Sequence, residues 1–238
     1  YADRNFIRVD WPAVPMAQVV EKVAADGEKS PFHRMCISMI THPNSDADTV
    51  AVLKAWTARV DPSAIPVSIL SNPTTMTRDD VKRLHELGAD IFTVALDAAT
   101  PALFDRTRGK GVQSPHSWAH YWQILNDARE IFGPQKFGAH VIIGMGETEH
   151  EALSLVQELV DLGGRSHLFC FFPEQGSLMG HAFRTSGCPG KFADDVSACD
   201  RPYGDSPPSD IASYPFAPNK TDVRRIRRQL RIVPRQGS

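Results

Sequence analysis
The run His140-Val-Ile-Ile-Gly-Met-Gly-Glu147 joins an apolar stretch to two glycines and a carboxylate. Gly144 and Gly146 let the backbone approach a flat or charged ligand closely, and Glu147 can accept hydrogen bonds there. The same pattern also serves as an ordinary strand-to-helix turn, because such turns favour glycine whatever they bind. Other apolar runs end in polar residues too: Thr41-His42-Pro43-Asn44, Ser71-Asn72-Pro73, Asp97-Ala98-Ala99-Thr100 and Phe172-Pro173-Glu174. A polar rim of this kind points to a small-molecule site. Ser71 and Asn72 read either as ligand contacts or as turn-formers ahead of Pro73.

Short β-branched runs and longer amphipathic segments must hold that rim in place. Strands are expected over Arg34–Thr41, Pro66–Leu70, Ile91–Leu96, Phe137–Ile143 and His167–Phe172. A helix over about Pro15 to Ala25 precedes the first of them. Capping signals start later helices at Ser45 with Asp48, at Thr77 with Asp80 and at Thr148 with Glu151. Their expected apolar stripes are Leu53-Trp56-Val60, Val81-Leu84-Leu87 and Leu153-Val156-Leu159-Val160. A further stripe, Trp118-Trp122-Leu125-Ala128-Phe132, ends at Gly133. Five strands in βα alternation imply an α/β fold with parallel pairing, and the strands are expected to be apolar on both faces. A partial (β/α)6 TIM-type barrel is the favoured architecture, with an open doubly wound sheet as the alternative. Either one puts the ligand at the carboxyl ends of the strands.

With 238 residues, 42% hydrophobic and 23% charged, the composition is that of an ordinary globular chain. A net charge of −2 gives no general attraction to nucleic acid or membrane. No apolar run reaches the roughly 18 residues needed to span a bilayer. No signal peptide is evident and four scattered cysteines make no disulfide framework, so a cytoplasmic location is expected. Residue 1 is Tyr rather than Met, and the chain reads as truncated at its N-terminus, with the first strand of the barrel missing.

The stretch Val94-Ala-Leu-Asp97-Ala-Ala-Thr-Pro-Ala-Leu-Phe-Asp-Arg-Thr-Arg-Gly109, followed by His140-x-Ile142-x-Gly144-x-x-Glu147, resembles the radical S-adenosylmethionine (SAM) enzymes. It is most similar to their biotin synthase and lipoyl synthase-like branch. The resemblance covers residues 1–175 as the barrel, leaving 176–238 as an irregular C-terminal extension. The tail motifs Cys188-Pro-Gly, Cys199-Asp-Arg-Pro-Tyr-Gly and Tyr214-Pro-Phe resemble archaeal-type lipoyl synthases. The resemblance implies that Asp97 binds the SAM ribose, accepting from both hydroxyls; the other reading is a cap for the helix opening at Thr100-Pro101. It implies that Ile142, Gly144 and Glu147, with Gly146 between them, pack against adenine. Ser71 and Asn72 then face SAM or substrate, and Thr41 or Asn44 offers oxygens where relatives hold the SAM amino group. Tyr121 falls where relatives place a partner for the SAM carboxylate, although it also fits a helix core stripe. His140 replaces the family's first glycine and reads as a packed core histidine.

The family's Cys-x3-Cys-x2-Cys loop, which binds a [4Fe–4S] cluster, does not occur in this sequence. Cys36 and Cys170 fall inside expected strands and read as buried structural residues. The resemblance places the cluster ligands immediately upstream of residue 1, so a fragment inactive by itself is expected. Cys188 and Cys199 read either as two unpaired loop thiols or as part of an auxiliary sulfur-donating cluster, as in sulfur-inserting relatives. A basic helix over Thr221–Arg231, carrying Arg224, Arg225, Arg227, Arg228 and Arg231, either closes the barrel or docks an acidic partner such as a lipoyl carrier domain. No aromatic platform accompanies it, which argues against nucleic acid. The implied activity is sulfur insertion with SAM, an iron–sulfur cluster, an acyl or lipoyl carrier protein and an electron donor. The alternatives are another radical SAM reaction, of biotin synthase type, and a non-catalytic paralogue.

Overall fold
The computed structural model describes residues 13–27 and 30–171. The chain divides into two compact units, Trp11–Phe169 and a second made of Tyr1–Asp10 with Cys170–Ser238. The first holds the sheet and its helices, apart from the last residue of the final strand. In order these are α1 (Met16–Asp26), β1 (Met35–Ser38), α2 (Ser45–Thr57), β2 (Val67–Ser71), α3 (Arg78–Glu86) and β3 (Ala89–Asp97). Then come α4 (Pro101–Thr107), a 3-10 turn (Lys110–Val112), α5 (Trp118–Phe132), β4 (Phe137–Ile143), α6 (Glu149–Asp161) and β5 (Arg165–Cys170).

The strands form one sheet in the order β1-β2-β3-β4-β5, with parallel pairing from β1 through β4. Sequential order means that every crossover steps the same way, which places the connecting helices on one face. A doubly wound sheet would reverse its order at a switch point. No reversal occurs among the described strands, and the fold is a partial TIM-type barrel.

Register shows which side chains meet the helices. The row Ile37, Ile69, Phe92 and Phe137 runs across four strands. Phe92 meets Phe132 of α5 at 5.7 Å between ring centroids, so this is the helix-packed face. Phe92, Ile69 and Phe137 are all but inaccessible to solvent, and burying a side chain of that size contributes about 2–3 kcal/mol. The next row, Ser38, Leu70, Thr93 and Gly138, faces the other way. That second face is not apolar as expected: it carries Ser38 and, two residues earlier on β1, the exposed Cys36. Cys170 is likewise in a strand but exposed.

Two of the three expected capping boxes form, Thr77 with Asp80 and Thr148 with Glu151. Ser45 differs. It is the first residue of α2 and buried, with Asn44 before it making no side-chain cap. The α5 stripe is rotated towards Tyr121, Ile124, Leu125, Ala128 and Phe132, leaving Trp118 and Trp122 half-buried on its flank. In α6 the buried positions are Ala152, Leu155, Val156 and Leu159, with Leu153 and Val160 at the margin. Both shifts are about one residue, the difference between a stripe drawn through the largest side chains and one that follows the 3.6-residue period. Among the described residues no helix is long and apolar enough to cross a membrane.

Candidate functional site
The carboxyl end of β3 is irregular in a way that matters. Register shifts between Ala95 and Asp97, so that Asp97 rather than Leu96 stands beside Val141 of β4. Asp97 adopts a left-handed backbone (φ 60°), which a short polar side chain tolerates better than most. Bulges of this type commonly re-aim a side chain at a site. Thr100, not Asp97, caps α4 by accepting from the Leu103 N–H.

The Asp97 carboxylate instead pairs with Arg108, and both side chains are close to fully buried, at 12% and 10% exposure. The other guanidinium nitrogen of Arg108 donates to Asn72 Oδ1 at the end of β2 and lies 3.4 Å from the Tyr121 hydroxyl of α5. The Asn72 amide donates to the Met39 carbonyl (2.7 Å). From Tyr121 the chain of contacts continues through His116 Nδ1 (2.9 Å), and His116 Nε2 meets Thr41 Oγ1 (2.8 Å). One polar network therefore joins the ends of β1, β2 and β3. It brings together Thr41, Asn72, Asp97 and Tyr121, which the sequence had singled out, with Arg108 and His116, which it had not.

Ser71 does not join it. Its position in β2 puts it on the helix-packed face with Val67 and Ile69, fully buried, and its hydroxyl meets the Met76 sulfur at 3.6 Å. A hydroxyl so enclosed supports the core and cannot reach a ligand at the rim.

His116 is held well below its ordinary value of 6.5, at about 4, by burial first and by Arg108 second, against a hydrogen bond that its ring donates to the Pro73 carbonyl. The unfolded chain takes up this proton near 6.5 and the folded chain only near 4. The site's contribution to stability is therefore complete above 6.5 and is lost as the pH falls from 6.5 towards 4. The unfolding midpoint is expected to drop across that window, and His116→Gln to flatten that part of the profile. A variant whose profile overlays the parent's would contradict it.

At the end of β4 the glycine turn closes on itself. Gly144 and Gly146 have φ of 99° and 118°, a region that side chains avoid. The Glu147 carboxylate accepts from the Gly144 N–H and from the Met145 N–H (3.0 Å). Arg106 donates to the Met145 carbonyl (3.3 Å), and a Cβ on Gly146 would sit 2.8 Å from its guanidinium. Both carboxylate oxygens of Glu147 are thus engaged by its own turn, where the sequence suggested acceptors offered to a ligand. Ile142 is half-buried. His140 is half-buried as well, rather than packed in the core, with its ring against His167 (5.2 Å) and Phe169 (4.8 Å) of β5.

A separate cleft of about 450 Å³ is bounded by the start of α4, α5 and α6, with Trp118, Trp122, Glu151 and Glu158 in its walls. It takes in none of the network residues. Cys188, Cys199, the Phe172-Pro173-Glu174 rim and the Thr221–Arg231 segment lie outside the described residues.

The model of the radical SAM superfamily matches residues 3–159. No curated protein matches the sequence. Among solved structures the chain is similar to methylornithine synthase (PylB), with a TM-score of 0.54 at 13% identity over 67% of this chain and 45% of that one. It is similar to HydG, a maturase of the [FeFe]-hydrogenase, at 0.54 and 12% identity over 92% and 43% of the two chains. A third is the radical S-adenosylmethionine methyltransferase TsrM from Kitasatospora setae, with cobalamin and a [4Fe-4S] cluster bound, at 0.50 and 18% identity over 70% and 33%. At such identities the likeness is one of fold. The chain spans between 33% and 45% of the length of these three proteins.

Proposed function
Because the chain belongs to the radical SAM superfamily, we propose that its strand ends form the nucleoside-binding sector of an enzyme that uses SAM for radical chemistry. The family uses SAM with a [4Fe–4S] cluster, which together supply reductive cleavage of SAM and a hydrogen-abstracting radical.

The residues fit the two groups differently. The adenosyl part of SAM fits the ends of β3 and β4. Asp97 supplies a carboxylate for the ribose hydroxyls, Asn72 stands beside it through Arg108, and Ile142 with the Gly144–Gly146 backbone offers a flat surface for adenine. The cluster does not fit. Cys36 and Cys170 are the free cysteines of the described residues, and no group of three or more His, Cys, Asp or Glu side chains able to hold a metal ion occurs among those residues. The described residues therefore bind and orient the nucleoside, and Arg108 holds the Asp97 carboxylate in place.

The single observation that carries this reading is the re-aimed Asp97, fixed at a strand end by a buried guanidinium that also holds Asn72. Calorimetric titration of the purified chain with S-adenosylhomocysteine tests it. Asp97→Asn and Ile142→Ala are each expected to weaken binding about tenfold. The second leaves the ion pair intact and so separates ligand contact from folding. No saturable binding by the parent, or parental affinity retained in both variants, would reject the reading.

Sulfur insertion of the lipoyl synthase type on an octanoylated carrier protein, with an external electron donor, is the narrower form of the proposal. Its support is the tail resemblance, and Cys188 and Cys199 lie outside the described residues. Another radical SAM reaction, of biotin synthase type, uses the same strand ends. The second reading is a barrel that binds the nucleoside without the chemistry. Formation of 5′-deoxyadenosine under reducing conditions by the reconstituted full-length protein separates the two.

A further inference from the structure
Strand alternation places Arg165, His167 and Phe169 on one face of β5, and His140 of β4 meets the latter two across the strand boundary. This is the face turned away from the helices. Arg165, His167 and Phe169 are exposed, with Phe169 at 48% one of only four large hydrophobic side chains so open among the described residues. The Arg165, His140 and His167 side chains make no hydrogen bond or ion pair among the described residues.

The guanidinium and both imidazoles are therefore open to a ligand on the same face as an exposed aromatic ring. We propose that the open face of β4 and β5 binds a small molecule with one carboxylate on an apolar body. Arg165, His167 and His140 take the carboxylate, and Phe169 takes the body.

The charge of the face selects the ligand's charge. Burial first, then the neighbouring His167, holds His140 at about 4, and burial with Arg165 lowers His167. The charged or titratable groups acting on the pair are thus each other and Arg165. At neutral pH both imidazoles are uncharged, and the face carries the single fixed charge of Arg165. A monoanion matches it, whereas a phosphate dianion is over-charged for it. Each neutral imidazole still offers one N–H donor and one acceptor. The Arg165 fork suits a carboxylate in particular. The Phe169 ring, tilted 47° to His140, gives an apolar body a surface to stack on. The inference names a substrate class for the preceding reading, and it rests on that reading only in taking the ligand to be the substrate.

The test is titration of the full chain at pH 7 with benzoate, benzyl alcohol and inorganic phosphate, followed by calorimetry and by the histidine ring resonances. Benzoate is expected to saturate, to raise the titration point of His140, and to bind at least tenfold more tightly than benzyl alcohol or phosphate. Arg165→Gln and His140→Gln are each expected to weaken benzoate about tenfold. Phe169→Leu, which leaves an apolar but smaller side chain, is expected to weaken it less. S-adenosylhomocysteine affinity is expected to be the same in all three variants. Equal binding of benzyl alcohol or phosphate, unchanged benzoate affinity in Arg165→Gln and His140→Gln, or no saturable benzoate binding would overturn the proposal. A parent that binds benzoate but not S-adenosylhomocysteine would reject the radical SAM reading and leave this site standing.

Discussion

Arg108→Ala is expected to cost the fold about 3–5 kcal/mol, the usual penalty for removing one partner of a buried ion pair. The substitution takes the cation away from Asp97 and a donor away from Asn72 and from the Tyr121 hydroxyl. What dominates is the desolvated carboxylate: Asp97 lost its hydration when the barrel formed, and Arg108 is the ion pair that replaced it. Arg108→Lys retains the charge but cannot span two acceptors from one planar fork, so it is expected to restore only part of the loss. Urea unfolding followed by tryptophan fluorescence measures both. A loss below about 1 kcal/mol in the alanine variant would mean that the network contributes little, as surface pairs do.

Gly138→Ala is the second large expected effect, and its cause is packing rather than charge. A Cβ at this position would lie 2.2 Å from the Arg165 carbonyl oxygen and 3.0 Å from its carbonyl carbon. Both are backbone atoms, so no side-chain rotation relieves the clash; β4 and β5 must move apart. A loss of about 3 kcal/mol or more is expected, at the upper end for overpacking. Gly133→Ala is the control, since its Cβ meets nothing within 4 Å although its φ is +77°. That change is expected to cost about 1 kcal/mol through backbone strain alone. Thermal unfolding, with hydrogen exchange along β5, distinguishes the two. Equal losses in both variants would show that strand contact is not what requires glycine at 138.

The parts of the barrel that were readable in the sequence are those decided within a few residues. Thr77 with Asp80 and Thr148 with Glu151 cap their helices because the hydrogen bonds span three positions. Strand β4 has the extent its apolar run suggests, and β1 and β5 differ from expectation by a few residues at their ends. The order of the strands required only that each pair with the next. Arg108 was not readable, because its partners Asp97, Asn72 and Tyr121 are 11, 36 and 13 residues away and meet only when three strand ends converge. Ser71 was misplaced for a reason that was available: it follows Val67 and Ile69 at a spacing of two, so it shares their buried face. The same alternation separates Asn72 from it. His140 was read as core because one strand cannot reveal that its neighbour brings His167 and Phe169 to the same face.

The self-closed turn at Gly144–Glu147 bears on timing. With the Glu147 carboxylate already tied to two amides of its own loop, the backbone there is ordered before any ligand arrives. On the proposed reading, a nucleoside docking against it would have little loop entropy to remove, and association would not wait for a conformational step. Selectivity at that strand end would then reside in a fixed shape, and ligands would differ in how long they stay.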